Sequence, residues 1–215
     1  MVMERTGRGH ERSSRAYRSP LRAQQAQRTR ELILAAYADL VVAGRSSVVT
    51  MAAVAARAGV AERTVYRHFP SGQALLDGLS EQASAVMHER GAELDGRSLD
   101  EAIAGAERLY RGFEAAGPPI KAAIIAGLDA GYRSPGQPGR VDHIREALHA
   151  EFPHLSEGEL TEAVVLLRFQ LGGWAWYLLT EREGLSTERA ARLSARAAGA
   201  VLESLRADAR RRAND

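Results

Sequence analysis

Apolar positions recur every three or four residues along most of the chain, and no segment alternates or carries the β-branched density of a strand, so the pattern predicts an all-α protein. The first stripe is Ile33, Ala36, Tyr37, Leu40 and Val41, on a helix that Ser19 and Pro20 open as cap and first helical position and Gly44 ends. A second long helix is predicted from Gly72 to about Arg90, with Leu75, Leu76, Leu79, Ala83 and Val86 inward. Ser98 and Glu101 have capping-box spacing for a helix through about Ala116, whose stripe is Ile103, Ala106, Tyr110 and Phe113. Gly117, Pro118 and Pro119 break it, and shorter helices follow from about Ile120 to Tyr132 and from about Arg140 to Phe152, either side of an SPGQPG loop.

Ser156 and Glu159 repeat the capping-box spacing, and from there Leu160, Val164, Leu167, Leu171, Trp174 and Leu178 alternate four and three apart, a heptad-like seam that calls for another helix. A last helix, about Thr187 to Arg212, offers Ala190, Leu193, Ala197, Val201 and Leu205, and the two are expected to form an antiparallel hairpin. Trp174 and Trp176, two residues apart, point to nearly opposite sides of their helix. Gly172 and Gly173 each cost a helix ~1 kcal/mol against alanine, which predicts a close backbone approach or a local kink there.

The stretch from Thr50 to Leu76, TMAAVAARAGVAERTVYRHFPSGQALL, has different punctuation. Thr50 is a good N-cap for a helix from Met51 to Ala58, Gly59 permits a sharp turn, and a second helix runs from about Ala61 to His68 before Pro70 stops it. This is a helix-turn-helix. Val54, Ala55, Ala58, Val60, Val65 and Phe69 face one another, and the small Ala55 and Ala58 let the helices cross closely. What remains outward is Arg63, Thr64, Tyr66, Arg67 and His68, all hydrogen-bond donors suited to phosphates and base edges. A plain helical hairpin with a merely solvated face is the rival for any short motif of this kind.

Charge sharpens the picture. The chain is nearly balanced at +2, yet residues 1–70 carry twelve arginines against five acids, a net of +7, so the remainder carries −5. Positive charge gathered at one end attracts a polyanion to that end alone. The first eighteen residues are arginine-rich and contain little to bury, which predicts a flexible arm over 1–18, reading either as a minor-groove extension or as a solvated tail. A helix-turn-helix domain over 19–70 and an all-helical domain over 71–215 complete the expected organisation.

The segment LAAYADLVVAGRSSVVTMAAVAARAGVAERTVYRHFPSGQALL resembles the N-terminal domain of the TetR family of transcriptional regulators along its whole length. The resemblance implies that Thr50, Thr64, Tyr66 and His68 touch backbone phosphates and that Arg63 and Arg67 read bases. Two positions depart from the family pattern: Gly72 stands where a lysine is usual, and Ala61 where a Ser or Thr often caps the recognition helix. The resemblance further implies a homodimer paired through the C-terminal hairpin as a four-helix bundle, with Leu167, Leu171, Trp174, Leu178, Leu193, Ala197 and Val201 on the pairing face. Dimerisation would place two recognition helices about one DNA turn apart, ~34 Å, to read a palindromic operator in double-stranded DNA.

It also implies a small-molecule pocket among the central helices. Met87, Tyr110, Phe113, Ile124 and Phe169 are the candidate lining, although each such residue is more often ordinary core, and the scarcity of inward charges points to an apolar or aromatic ligand. Other chemistries find little support. There are no cysteines, hence no disulfide framework, thiolate zinc site or thiol sensor. No HExxH, GxSxG or phosphate loop is present, so neither an enzyme nor a cofactor is expected. His149, His154 and Glu151 read more simply as solvated residues around a helix end than as metal ligands. No secretory signal or membrane span is legible, and a cytoplasmic location is expected. The function expected is therefore a ligand-responsive, DNA-binding regulator, a repressor by family habit; the alternative is a helical interaction module whose helix-turn-helix binds a partner protein.

Overall fold

The computed structural model describes residues 20–45, 49–92, 98–129 and 138–214, and every element among them is helical. The expected arm over 1–18, the Ser19 cap and most of the SPGQPG loop lie outside the described residues. Helix α1 covers Pro20–Leu40 and passes into a π-type turn, Val41–Arg45, within which Gly44 is in the left-handed region at φ 81°. Helices α2 (Met51–Ala58) and α3 (Glu62–His68) form the helix-turn-helix, and α4 (Gly72–Glu89) leads away from it, capped by Ser71, whose hydroxyl accepts from the Ala74 amide at 3.1 Å. The rest comprises α5 (Leu99–Ala104), α6 (Ala106–Asp129), α7 (Pro138–Glu151), α8 (Glu157–Gln170), α9 (Gly173–Tyr177) with a π-type continuation Leu178–Arg182, and α10 (Thr187–Arg212).

Two hydrophobic cores result. The first gathers Ile33, Leu34, Tyr37 and Val41 from α1 and its turn, Val54 from α2, Val65 and Phe69 from the end of the motif, and Leu75, Leu76 and Leu79 from α4. It is closed by Ala122 and Ala126 of α6. The second fills the remainder, from Met87 through Tyr110, Phe113, Leu148, Leu167, Leu171 and Trp176 to Leu202. Helices α4 and α6 pack on each other extensively, and both contribute to both cores.

The predicted helix from Ser98 to Ala116 divides at Gly105 into α5 and α6, with the Ser98 hydroxyl accepting from the Glu101 amide at 3.2 Å. The Gly-Pro-Pro break is a kink within α6: Gly117 sits at φ 59°, ψ −138°, which only glycine adopts without strain, and the chain re-enters helix through two prolines that need no amide partner in a first turn. At Ser156 the full capping box forms, with the Ser156 amide donating to Glu159 at 2.8 Å. The predicted helix through Leu178 is interrupted at Leu171–Gly172, so that α9 leaves α8 at a new angle.

The seam on α8 is a correction. Leu167 and Leu171 are buried in the core of their own chain, where α8 packs on α7, α9 and α10, and are not available to a second chain. Helical periodicity specifies which side is buried but not which neighbour covers it. The basic end of α10 is held by ion pairs: Arg206 bonds Asp100 at 2.6 Å and Glu151 at 2.8 Å, and Arg212 bonds Glu159. With the Ser156 amide and hydroxyl assisting Arg212, the Glu159 carboxyl is lowered to about 2.

Candidate nucleic-acid interface

The helix-turn-helix is built by one side-chain cap and one turn. The Thr50 hydroxyl accepts from the Ala53 amide at 3.1 Å, satisfying one orphan donor of α2 while its own proton stays free to donate outward. Gly59, at φ 68°, reverses the chain, and the Val60 amide closes the turn on the Ala55 carbonyl at 3.1 Å. Ala61 gives α3 no side-chain cap, as its sequence foretold. The short helix is anchored instead by Val65, fully buried, and Phe69, 1% exposed.

With those two residues inward, Arg63, Tyr66 and Arg67 are exposed. Their spacing of three and four residues stacks them on one face of α3, where an arginine fork, a phenol and a second fork stand together. Thr64 and His68, four residues apart on the neighbouring stripe, are half-buried. Thr50 is exposed at the start of α2. All six expected DNA-binding residues thus belong to one helix-turn-helix, with four of them exposed.

A residue that the sequence did not single out fixes this face to the rest of the protein. Arg30 of α1 lies with its guanidinium 4.5 Å from the centroid of the Phe69 ring and donates to Glu81 of α4 at 3.0 Å. The stack and the ion pair tie α1, the end of α3 and α4 at one point. No local spacing signals it, because Glu81 is 51 residues away in sequence.

His68 is affected by the same arrangement. Its Nε2 is buried without a partner among the described residues. Burial, then the nearby charges of Arg67 and Arg30, lower its pKa below the ordinary imidazole value of 6.5. The neutral ring is the one the fold accommodates, so its contribution to stability is present above that ordinary value and lost as pH falls through the lowered one. Thermal melts of the free protein between pH 7.5 and 5 are expected to show falling stability, and a His68→Gln variant a shallower fall. An identical slope in the variant would count against this assignment.

Residues 46–79 match the family model of bacterial regulatory proteins, tetR family. The helix-turn-helix is thus similar to the DNA-binding head of that family. Among solved structures, a TetR transcriptional regulator from Rhodococcus sp. RHA1 is similar over 82% of this chain and 96% of that one, with 24% identity and a TM-score of 0.46. No curated protein matches the chain. The matched stretch takes in the helix-turn-helix and the first part of α4, so the likeness to DNA-binding regulators is a likeness of this segment. Among the described residues no helix is long and apolar enough to cross a membrane.

The remaining candidate sites divide. Met87, Tyr110 and Phe113 are buried in the second core with Ile124 packed against it, but Phe169 is 52% exposed on the outside of α8 and takes no part in that cluster. Of the residues expected on the pairing face, Leu178 and Leu193 are exposed and Trp174, Ala197 and Val201 half-buried. Glu151 is engaged by Arg206, while His149 and His154 are exposed.

Proposed function

We propose that this protein is a dimeric repressor that occupies a palindromic operator and releases it when a small apolar or aromatic molecule binds its helical domain. The observation that carries the DNA reading is the exposed Arg63, Tyr66 and Arg67 face on a helix whose opposite side, Val65 and Phe69, is locked in core. Arg63 and Arg67 read guanines, and Thr50, Thr64, Tyr66 and His68 fix register on phosphates. The division proposed is a basic arm over 1–18, a head over 19–70 and a regulatory and dimerisation domain over 71–215. The charge asymmetry supports it, since only the head end would be drawn to DNA. A protein of this kind acts in the cytoplasm.

For pairing, the face supported is the outer side of α8 and α10. Val165, Leu166 and Phe169 on α8, each about half exposed, together with Leu178 and Leu193, are large apolar side chains that a second copy would cover. Trp174, Ala197 and Val201 flank them half-buried. Phe169 therefore belongs to this face rather than to a ligand pocket. A Phe169→Glu variant is expected to shift the protein from dimer to monomer in light scattering and to weaken operator binding with it, with its melting temperature little changed at high dilution. A dimer that persists in the variant would place the interface elsewhere.

The test of the whole reading is selection from random duplex DNA by the purified protein. The expected winner is an inverted repeat with half-sites about one turn apart, bound with a steep salt dependence. Absence of any enriched sequence would favour a protein partner for the head.

A further inference from the structure

Trp176 is among the largest buried side chains of the protein, 2% exposed, and its ring lies 5.7 Å from that of Phe113, which in turn lies 5.9 Å from Tyr110. Its indole Nε1 is buried with no acceptor among the described residues. The acceptors nearest in kind are already used: the Tyr110 hydroxyl donates to the Gln170 carbonyl at 2.9 Å and shares a 2.6 Å hydrogen bond with Ser194. Burial pushes Tyr110 up to about 12 against the lowering effect of the Ser194 hydrogen bond, so it stays a neutral donor. A buried N–H without an acceptor carries its full desolvation cost, and native cores keep few of them without a reason.

The backbone around this ring is irregular on two sides. Helix α8 stops at Gln170 and α9 starts at Gly173, where a Cβ would fall 2.8 Å from Ile124 Cδ1 of α6. Trp176 is then followed by the π-type stretch Leu178–Arg182, and α6 itself kinks at Gly117, four residues beyond Phe113. Irregular helix of this sort recurs at binding sites, because it lets one segment shift without unravelling its neighbours. The indole packs on Phe113 before the α6 kink, and Gly173, at the start of the indole's own helix, abuts Ile124 after it.

We infer that Trp176 is the hydrogen-bond donor of a ligand site between α6 and α9 that takes a neutral, planar molecule bearing an acceptor oxygen or ring nitrogen, such as an aromatic ketone or lactone. This rests on the ligand-responsive reading above and adds to it the donor and the ligand's chemistry. The walls are aromatic and aliphatic: Tyr110, Phe113 and Ile124. A charged ligand has no counterpart, since the buried polar side chains described are only Ser80, Thr187 and Ser194, and Lys121 at the rim is already paired with Glu181 at 2.7 Å.

Coumarin, naphthalene and 2-naphthoate titrated calorimetrically into the full chain separate the possibilities. Coumarin is expected to bind, with affinity about tenfold lower in Trp176→Phe, the effect of one neutral hydrogen bond. Naphthalene is expected to bind wild type and variant alike, and 2-naphthoate to bind more weakly than coumarin. Should Trp176→Phe fold poorly, a Trp174→Phe variant leaves one indole N–H resonance, which coumarin is expected to move downfield and naphthalene to leave in place. Coumarin binding that ignores Trp176→Phe and leaves that resonance unmoved would overturn this site while preserving a ligand-responsive protein. Failure of all three probes to bind would overturn the site and remove its support from the ligand-responsive reading as well.

Discussion

An Arg63→Ala, Tyr66→Ala double variant is expected to bind the selected operator roughly thirtyfold to 10⁴-fold more weakly than wild type. A bidentate arginine contact is worth ~1–3 kcal/mol, and a palindrome read by a dimer makes each contact twice, so loss of the Arg63 fork alone removes roughly 2–6 kcal/mol. The single variants divide this by mechanism. Arg63→Ala should relax sequence preference at one position of each half-site, whereas Tyr66→Ala should weaken all sequences about equally. Arg63→Lys keeps the charge and loses the fork, so it should retain the salt dependence but not the preference. Both side chains are exposed on α3, Tyr66 at 49%, and the helix is held by Val65 and Phe69, so the melting temperature should barely move. Full operator affinity in the double variant, measured by fluorescence anisotropy, would remove α3 from the interface.

That face was legible in the sequence because local chemistry determines it. Thr50 caps, Gly59 turns, Pro70 stops, and the apolar Val54, Val65 and Phe69 leave little choice of what faces out. The Gly117 kink and the α8 break were equally local, each signalled by residues that a straight helix disfavours. What the sequence could not supply was the partner of each face. The α8 seam of Leu160, Val164, Leu167 and Leu171 is real, but it packs within its own subunit, and the side chains left outside are Val165, Leu166 and Phe169. Nor does punctuation mark where a core ends. Pro70 closes the motif, yet the head's core continues through Leu75, Leu76 and Leu79 and reaches Ala122 and Ala126 in α6. The Arg30–Glu81 tie and the Tyr110–Ser194 bond lie beyond any local signal, since they join residues 51 and 84 apart.

The sharing of α4 and α6 between two cores makes their crossing the most demanding contact in the protein, and Gly112→Ala is expected to destabilise it by roughly 2 kcal/mol net. A Cβ at Gly112 would fall 2.2 Å from the Cβ of Ala92, just beyond the end of α4, where carbon atoms normally keep ~3.5–4.0 Å. Neither atom can rotate away, because a Cβ moves only with its backbone. The backbone at Ala92 is itself held, its amide bonded to the Met87 carbonyl at 2.8 Å as α4 ends. Overpacking of this kind costs ~1–3 kcal/mol or more, against the ~1 kcal/mol that alanine gains over glycine inside a helix. The melting temperature should therefore fall by roughly 4–8 °C. Moving the methyl group rather than adding one tests the cause. Ala92→Gly alone removes a buried methyl and should cost about 1 kcal/mol, yet combined with Gly112→Ala it relieves the clash, so the pair should be less harmful than the two losses summed, by roughly 1–3 kcal/mol. Strict additivity would mean that Ala92 and Gly112 do not meet, and that the segment just after α4 is not packed on α6 at this point.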